Sequence, residues 1–554
     1  MVYVYLLKAS TDKWTASMIF NHKKEKIENL LKAFGNLKED SFRFEQIETY
    51  FLRKDHSAAN QALSDKTCND LDFNEIFMFI DRTSSKIGQQ YLFDKLRVIP
   101  NDTREIVADE NLIREFTNNS DLRVYIQRLL CKLNSKEAFY ISALFQEDHI
   151  EQPKWYFLVP ILALTSLLSL ISAFFIPKMF FVILGIFLIN MGIHYWNKQN
   201  IYEYLVSLPQ LIKLNSVARE LFKNDILKQT NPNLTKSIAV LDKVRNRMSF
   251  FQLEAKLQND FEAVFWAFLE LFKILFLLEP LLLFGVLKRL DTKRKEIEEL
   301  FRFVGKIDAL ISISSLRKGL DKYCIPDINP DQRTLIAQNI YHPLIDDCVL
   351  NSIQVKGKSI LLTGSNMSGK TTFIRTIGIN AITGLTINTC FADHFSMPGL
   401  RIFSAVRISD DLMNDKSYYF EEVVTIKEMI DNSVNEIPNL FLLDEIFKGT
   451  NTVERISAGK AVLSSLAMTG NIVFVSTHDI ELADLLKEDF DLYHFSEKVD
   501  NKTVDFDYKL KVGKLKNRNA IRILQINDYP ENIIKEALEI AMELDKKTII
   551  QNTI

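Results

Sequence analysis

The feature that most constrains this chain is a pair of uncharged apolar runs near the middle of its sequence. Residues 155–176 and 179–196 form runs of 22 and 18 residues, and neither run contains a charged side chain. A helix rises 1.5 Å per residue, so each run can cross a hydrocarbon core about 30 Å thick. Helices of soluble proteins nearly always carry a polar stripe, which both runs lack. The sequence therefore predicts a transmembrane hairpin over residues 155–196, in preference to a buried hairpin in a soluble core.

Aromatic residues mark the outer ends of this predicted hairpin. Trp155 and Tyr156 open the first run, Tyr195 and Trp196 close the second, and Pro177-Lys178 forms the turn between them. Trp and Tyr concentrate at membrane–water interfaces, where their amphipathic rings sit at headgroup level. An even number of spans also places the flanking parts of the chain on one side of the membrane.

A third apolar segment, residues 263–287, differs because it contains Glu270, Lys273 and Glu279. Each charge at the centre of a membrane helix costs about 2.5–3.5 kcal/mol, whereas each Leu, Ile, Phe or Val returns about 0.3–0.6 kcal/mol. With 17 such apolar residues in the segment, the two contributions roughly cancel. We favour a buried soluble helix here over a third span.

Composition excludes several other classes of protein. The chain has 554 residues, enough for two to four domains, and 47% hydrophobic with 25% charged residues is ordinary for a globular protein. A net charge of -3 shows no basic excess of the kind that marks nucleic-acid binders, although a local basic patch stays open. The five cysteines are scattered without a CxxC pair, which argues against disulfides or zinc and fits a reducing compartment. The start, MVYVYLLKAS, does not resemble a cleavable signal peptide.

A nucleotide-binding loop is predicted where residues 364–371 read GSNMSGKT, which matches the pattern GxxxxGK[ST]. The strand-like run SILLT precedes it and the helical run TTFIRTIGINAI follows, which is the context that the motif requires. Backbone N–H groups of such a loop surround phosphates at a helix N-terminus. The side chain of Lys370 would reach the β- and γ-phosphates, and Thr371 would hold Mg²⁺. The predicted ATP-binding residues are Gly364, Ser365, Asn366, Met367, Ser368, Gly369, Lys370, Thr371 and Thr372.

Two later apolar runs also end in functional side chains. LFLLDE ends in Asp444, predicted to lie in the Mg²⁺ shell, and Glu445, the predicted general base for the attacking water. VFVSTHD ends near His478; a lone histidine is more often structural, but its place after the other two motifs favours contact with the γ-phosphate. Glu445, Lys370 and His478 are the predicted catalytic residues, Thr371 and Asp444 the predicted metal ligands, and the chain is predicted to be a Mg²⁺-dependent ATP hydrolase. Short β-branched runs alternating with helices beyond residue 325 predict a parallel sheet covered on both faces.

These motifs, in this order and spacing, resemble the ATPase domain of the MutS family. The resemblance is carried by LLTGSNMSGKTTFIRTIG, SDDLMNDKSYYFEEVVTIKEMI, LFLLDEIFKGTNTVERISA and VFVSTHDIELA. Upstream, TCNDLDFNEIFMFIDRTSSKIGQQYLFDKLRVIP is similar to the start of the family's helical core and lever domain, and EIEELFRFVGKIDALISISSL is similar to the end of the lever. The predicted membrane hairpin then lies inside the lever region.

The resemblance implies a homodimer with two nucleotide sites at the contact between ATPase domains. Ser417 occupies the place of the serine that reaches the γ-phosphate bound by the partner, so it is predicted to bind ATP in trans. Glu422 matches the acid that follows this serine. Residues 449–452 resemble a loop that crosses the dimer interface.

Mismatch-repair members of this family insert a Phe, backed by a Glu two residues later, from an N-terminal domain. Only about 65–70 residues precede the lever match here, so we expect no mismatch-recognition domain. Phe73-Asn74-Glu75 has the Phe-x-Glu form, but it lies on a predicted helix inside the lever match, and we interpret it as packing.

The sequence thus predicts a mixed fold, with an α-helical core and lever domain, an inserted two-helix membrane hairpin and a following α/β P-loop (ABC-like) ATPase domain. The expected divisions are an N-terminal mixed segment (1–70), the core and lever domain (71–324, interrupted by 155–196), the ATPase domain (325–530) and a helical dimerisation segment (531–554).

The leading hypothesis is a membrane-anchored MutS-like ATPase that couples ATP binding and hydrolysis to lever motion, with its soluble domains on the cytoplasmic side of the cytoplasmic membrane. The expected cofactors are ATP and Mg²⁺, and the expected partners are a second copy of the chain and the membrane. DNA stays open as a partner. The alternatives are a mismatch- or branched-DNA repair factor tethered to the membrane and an ABC-like transporter subunit.

Overall fold

The structure is a computed structural model that describes residues 24–102, 104–149, 151–244, 263–329, 334–365, 367–407, 418–434, 437–468, 470–499, 504–515, 520–527 and 529–551. It divides into two compact units. The first, the helical unit, comprises residues 24–55, Ile80–Lys95 and Ala108–Gly319. The second, the sheet unit, comprises His56–Phe79, Leu96–Val107 and residues from 320 onward. The prediction of a fold that mixes helices with sheets is confirmed.

The helical unit is built from helices joined by short turns. In chain order they are α1 (24–33), α2 (Phe44–Ile47), α3 (Thr49–Leu52), α6 (Lys86–Arg97), α7 (Arg104–Asn118), α8 (Ser120–Leu130), α9 (Ala143–Gln146), α10 (Leu158–Ala173), α11 (Met179–Asn200), α12 (Tyr202–Leu221), α13 (Asp225–Lys228), α14 (234–244), α15 (Ala263–Phe276), α16 (Leu278–Leu290) and α17 (Arg294–Gly319). The long helix α17 forms much of the core, with Leu300, Phe301, Val304 and Ile307 almost fully buried. Leu300, Val304 and Ile307 recur every three or four residues, and Phe301 adjoins them, which is the spacing of one helix face.

The apolar runs form the helical hairpin α10–α11. By length and composition, Lys154–Ala173 and Met179–Gln199 can each cross a membrane, and only 17% and 11% of their apolar windows are buried. Apolar side chains near the turn of the hairpin are strongly exposed, among them Phe174 at 86% and Phe181 at 74%. The alternative of a hairpin buried in a soluble core therefore does not fit the structure. At the open end, the rings of Trp155 and Trp196 meet edge-to-face at 5.0 Å.

The third apolar segment is two helices, α15 and α16, rather than one. The break falls at Leu277, whose backbone is left-handed (φ 48°) although its side chain is buried. The expectation of a single buried helix over 263–287 is wrong in two respects. The helix is interrupted, and α15 exposes Phe268, Leu271 and Phe272. With 14 and 13 residues, the two helices are about 21 Å and 20 Å long, so neither spans a membrane alone.

The sheet unit contains the remaining elements. They are β1 (Gln61–Ala62), α4 (Asp65–Asp70), α5 (Phe73–Ile80), β2 (Val98–Ile99), β3 (Asp327–Ile328), β4 (Thr334–Ile340), β5 (Asn351–Lys356), β6 (Ser359–Thr363), α18 (Lys370–Ile387), β7 (His394–Met397), β8 (Arg401–Ala405), α19 (Tyr418–Asn432), β9 (Asn439–Asp444), α20 (Thr452–Met468), β10 (Ile472–Thr477), α21 (Ile480–Leu486), β11 (Phe490–His494), β12 (Glu497–Val499), β13 (Val504–Phe506), β14 (Lys511–Val512), α22 (Ala520–Ile526) and α23 (Glu531–Gln551). Phe73 is 5% exposed at the start of α5, as expected of a packing residue.

A six-stranded sheet with the order β14-β11-β6-β10-β9-β8 organises this unit. All neighbouring strands are parallel except β14, which pairs antiparallel with β11. A second, four-stranded sheet has the order β3-β7-β4-β5. In the six-stranded sheet the carboxyl ends of β6, β9 and β10 meet at one edge, because parallel strands point the same way. This edge carries the three predicted motifs.

The apolar strands are covered on both faces by helices. On β9, Phe441 and Leu443 join a core cluster with residues of α19, α20 and α21. The alternate residue Leu442 faces α18, where it lies against Gly378. Successive side chains of a strand point to opposite faces, so a strand buried on both sides must be apolar throughout. The continuous apolar runs in the sequence have this cause.

Candidate functional site

The loop between β6 and α18 folds tightly around Lys370. The ammonium group of Lys370, which is 2% exposed, donates hydrogen bonds to the carbonyl oxygens of Gly364 (2.7 Å) and Ser365 (2.9 Å). Gly364 and Gly369 adopt φ values of 146° and 102°, which L-residues rarely adopt. A Cβ atom on Gly364 would also lie 2.7 Å from the carbonyl oxygen of Phe495. The two glycines are therefore required by the backbone path.

The environment of Lys370 lowers the pKa of its ammonium group. Burial lowers the pKa of Lys370 to about 8, although the carboxylates of Asp444 and Glu445 partly oppose this shift. An anion placed against the loop would supply the missing negative charge and favour the protonated form. The site is thus built to receive negative charge.

Thr371 and Asp444 bring two oxygen groups together at the sheet edge. The Thr371 hydroxyl donates to Asp444 Oδ2 at 2.6 Å, and the Ser476 hydroxyl donates to Oδ1 of the same carboxylate. A hydroxyl and one carboxylate suit Mg²⁺, which prefers oxygen ligands and keeps several waters or phosphate oxygens in its shell. Among the described residues no cluster of three or more His, Cys, Asp or Glu side chains could hold a metal by itself. The donor set fits a Mg²⁺ ion shared with a bound polyphosphate.

Glu445 is held between an imidazole and an ammonium group. Its carboxylate lies 2.6 Å from His478 Nε2 and 2.6 Å from Lys448 Nζ. Burial alone would raise the pKa of Glu445, but hydrogen bonds from His478 and Lys448 outweigh it and lower the pKa to about 2. The backbone of Glu445 is left-handed (φ 50°), and its N–H donates to the Ser476 carbonyl oxygen at 2.9 Å. The carboxylate is therefore ionised and fixed in place beside Asp444.

The segment after Glu445 is positioned by α19. Glu422, which is fully buried, accepts a hydrogen bond from the N–H of Phe447, and burial raises the pKa of Glu422. Phe447 is itself left-handed, with φ 60°. A Cβ atom on Gly449 would lie 2.8 Å from Cβ of Tyr419, so only glycine fits there. Helix α19 thus fixes the path of the loop that carries Lys448.

A cavity of about 520 Å³ adjoins the loop. It is lined on one side by Gly369, Thr371 and Thr372. Phe373 of α18 also lines it, and its remaining walls come from distant parts of the chain, including Tyr341, Asp346, Cys348, Phe495 and Tyr508. Its size and partly aromatic lining are those of a small-molecule site.

Comparison with known proteins agrees with this geometry. The family model for MutS domain V matches residues 360–545, which include the whole loop, Asp444, Glu445 and His478. The chain is 27% identical over 281 residues to the DNA mismatch repair protein MutS of Methanosarcina acetivorans, covering 48% of this chain and 31% of that protein. Residues 360–545 thus match the MutS family. The resemblance read from the sequence is confirmed.

Further relatives match the same share of this chain. The DNA mismatch repair protein MutS of Fusobacterium nucleatum is 27% identical over 287 residues, 49% of this chain and 32% of that protein. The corresponding protein of Listeria welshimeri is 28% identical over 295 residues, 50% of this chain and 33% of that protein. The chain therefore spans about a third of the length of the curated relatives that it matches.

The structure places most of the predicted site residues around one edge of the sheet. The Thr371 hydroxyl contacts Asp444, and His478 contacts Glu445. Lys370 is bonded to the carbonyl groups of the loop. The loop residues differ in exposure, since Ser368 is 1% and Met367 73% exposed. Ser365 donates to Glu497 at 2.8 Å. Asn366 and Ser417 lie outside the described residues, so their predicted contacts stay predictions.

Sequence reasoning missed two acids near the end of β8, one of which also contacts the loop helix α18. Asp70 is fully buried and accepts hydrogen bonds from the Ser404 hydroxyl (2.6 Å) and the N–H groups of Val406 and Arg407 (2.9 and 2.8 Å). Asp72 pairs with Arg375 of α18 at 3.1 Å and with Arg407 at 2.5 Å. Charged residues near a helix end are common, and no sequence signal distinguished these two.

Proposed function

We propose that this chain is a membrane-anchored MutS-like ATPase that couples ATP binding and hydrolysis at a dimer interface to motion of its lever helices. The observation that carries the proposal is the convergence of Lys370, Thr371, Asp444 and Glu445 at the carboxyl edge of one parallel sheet. The glycine-shaped loop supports phosphate binding, and the adjoining cavity is large enough for a nucleoside.

Each residue has a chemical role in this proposal. The Lys370 ammonium group stabilises phosphate charge, and Thr371 with Asp444 holds Mg²⁺. When bound, Mg²⁺ neutralises charge on the phosphate oxygens. Glu445 accepts a proton from the attacking water, for which it must exchange at least one of its present partners, His478 or Lys448. His478 then contacts the γ-phosphate.

Coupling to a second copy of the chain is supported by the contacts around Asp70 and Asp72. Arg375 belongs to the helix that opens with Lys370, and through Asp72 it is tied to Arg407 at the end of β8. The chain then continues into the segment that carries Ser417. A change at the nucleotide loop would reach the segment that we propose to act in trans. The homodimer is tested by sedimentation with and without ATP, with a larger species expected in its presence.

The membrane anchor is supported by the exposed apolar surface of the α10–α11 hairpin. Both of its ends would lie on the side where ATP is available, which is the cytoplasmic side of the cytoplasmic membrane. The lever helices would transmit closure and opening of the dimer toward the hairpin. We expect the protein to float with lipid vesicles in a density gradient, and a variant lacking residues 155–196 to stay at the bottom.

The decisive test of the enzyme is phosphate release by the purified full-length protein with ATP and Mg²⁺, with and without liposomes. Lys370→Met should abolish both nucleotide binding and turnover. Phosphate release that persists unchanged in Lys370→Met would refute the proposal.

A second candidate function is DNA repair at the membrane, favoured by the relatives that carry the name DNA mismatch repair protein MutS. A salt titration of DNA binding distinguishes the two. A steep fall in affinity with salt would support phosphate-backbone contacts. A slope near zero, or the absence of binding, would eliminate this candidate and leave the membrane ATPase.

A further inference from the structure

Helix α15 carries its charges and its apolar side chains on opposite faces, in the reverse of the usual arrangement. Lys273 is 5% exposed and Glu270 is largely covered, whereas Phe268, Leu271 and Phe272 are 68%, 50% and 52% exposed. In a helix on the surface of a soluble protein the polar face points outward. In a membrane helix the ionisable residues point to the protein interior and the apolar residues to lipid.

The inward charges of α15 meet a histidine of the hairpin. His194 of α11 lies 3.4 Å from Glu270 and 3.6 Å from Glu279. Lys273 lies 2.6 Å from Glu270 and 2.7 Å from Glu279, and Lys198 lies 3.7 Å from Glu270. Two carboxylates are thus balanced by two ammonium groups around one imidazole. Pairing removes much of the free-energy cost of placing charge in an apolar medium. A comparison made from the sequence alone assigns the full cost to each charge, because it includes no pairing.

The break between α15 and α16 is also satisfied from within the protein. Asn190 of α11, fully buried, donates to the carbonyl oxygen of Leu275 at 2.7 Å. Pro280 lies in the first turn of α16, where its missing N–H group costs nothing. Leu277, at the break itself, is 1% exposed. Irregular backbone at membrane depth is tolerated where it is buried in protein or lines a water-filled cavity, and this break is buried.

The contacts also give the direction in which α15 and α16 run along the hairpin. Glu270 and Glu279 lie at the level of His194, close to the aromatic end of the hairpin, whereas Leu275 lies deeper, at Asn190. On the way back, the Tyr156 hydroxyl at the start of the hairpin donates to the Pro280 carbonyl oxygen at 3.0 Å. Helices α15 and α16 therefore run into and back out along the hairpin, and both ends of the segment lie near its aromatic end.

We infer that α15 and α16 form a re-entrant segment that enters the membrane beside the α10–α11 hairpin, with Phe268, Leu271 and Phe272 against lipid acyl chains. This inference rests on the proposed membrane anchor. Helix α15 packs against both α10 and α11, so its outward face continues the exposed apolar surface of the hairpin. Lipid hydrocarbon is the occupant because charge is directed inward and no polar rim surrounds the exposed face among the described side chains of α15.

The test is photolabelling of the full-length protein in phosphatidylcholine–phosphatidylglycerol vesicles by a carbene precursor dissolved in the lipid. Modified residues are read by mass spectrometry. Phe181 and Leu188 of the hairpin report the anchor, and Leu52 and Val107, each 59% exposed outside the hairpin, report labelling from water. We expect Phe268, Leu271 and Phe272 to be labelled like Phe181 and Leu188.

The outcomes separate this inference from the proposed anchor. If Phe181 and Leu188 are labelled while the α15 face stays at the level of Leu52 and Val107, the re-entrant segment is refuted and the anchor stands. If all these positions stay at the level of Leu52, both are refuted. Crosslinking of the α15 face to a second copy instead of lipid would also overturn the inference.

Two variants examine the inward charges and the outward face separately. Lys273→Leu leaves Glu270 and Glu279 without their closest ammonium group, and labelling of Phe268 should fall to the level of Leu52. Lys288→Leu, at an exposed position of α16, should leave labelling unchanged. Since Lys273→Leu could impair folding, Leu271→Glu on the outward face serves as the second variant. It should reduce labelling of Phe268 while labelling of Phe181 persists; unchanged labelling of Phe268 in both variants would contradict the inference.

Discussion

The hydroxyl of Thr371 lies 2.6 Å from the carboxylate of Asp444, although 73 positions separate the two residues along the chain. Thr371 is the second residue of α18 and Asp444 ends β9, and the parallel sheet brings these two points to the same edge. In the proposed function this pair would offer a hydroxyl and a carboxylate oxygen to one hard cation. Lys370 would then contact the phosphates and Glu445 the attacking water.

Replacing Asp444 should therefore weaken Mg²⁺ binding at the site before it affects folding. Asp444→Asn keeps the shape of the side chain but removes its charge, and we expect at least about a tenfold rise in the Mg²⁺ concentration that supports half-maximal phosphate release. Asp491→Asn, on β11 of the same sheet, is the matched control and should behave as the unchanged protein. A Mg²⁺ dependence that does not shift in Asp444→Asn would remove this residue from the metal site.

Glu445→Gln should separate nucleotide binding from hydrolysis. The amide cannot accept a proton from water, so turnover should fall by about 10²–10⁴. Binding should persist because Lys370 and the loop are unchanged. Since the pKa of Glu445 is about 2, its ionisation should produce no activity change between pH 5 and 8. Equilibrium binding of labelled ATP and single-turnover phosphate release measure the two steps, and hydrolysis at the normal rate would exclude Glu445 as the base.

Nucleotide affinity should depend on pH through Lys370. Burial holds the pKa of Lys370 at about 8 in the free protein, and bound phosphates favour the charged form, so they raise this pKa. Below pH 8 the lysine is already protonated and binding takes up no proton. Above pH 8 binding must take up a proton, and affinity should fall toward about tenfold per pH unit.

Titration calorimetry in buffers of different ionisation enthalpy measures this proton uptake directly. At pH 9 we expect close to one proton per nucleotide, and at pH 6.5 close to none from this residue. Lys370→Arg provides the control, because a guanidinium stays charged at both pH values. Nucleotide binding to Lys370→Arg should therefore take up no proton at pH 9. Equal uptake by both proteins would assign the proton to another group.

The chemistry-bearing residues were predictable because they follow local rules. Gly364 and Gly369 mark a tight backbone, Lys370 opens a helix, and Asp444 and Glu445 end an apolar strand. Parallel strands bring such ends together whatever the rest of the fold does. The family and the mixture of helices with sheets followed from the same motifs.

Other features depend on contacts that no local pattern encodes. Tyr508 lines the cavity beside the loop because a distant segment returns there. Leu277 breaks the third apolar segment in a left-handed conformation that its sequence does not favour, since the neighbouring hairpin satisfies the backbone. The number of charges in that segment does not indicate that His194, which belongs to the hairpin, lies between Glu270 and Glu279.

The helical unit offers a test of packing that is independent of nucleotide chemistry. Gly88 lies in α6, and a Cβ atom there would lie 2.2 Å from Oδ2 of the fully buried Asp308. That carboxylate accepts hydrogen bonds from the N–H groups of Ser84 and Ser85, at 2.8 Å each, so it cannot move without losing them. Alanine normally stabilises a helix by up to about 1 kcal/mol relative to glycine.

At Gly88 we expect alanine to destabilise the protein instead. We expect Gly88→Ala to lower the free energy of unfolding by about 1–3 kcal/mol, the usual cost of overpacking a core. Gly285→Ala, in α16 with no atom of the described residues within 4 Å of its added Cβ, is the matched control and should be neutral or stabilising. Urea unfolding of the detergent-solubilised protein, followed by helix signal, measures both. If Gly88→Ala is as stable as Gly285→Ala, Asp308 does not hold the position that the structure gives it.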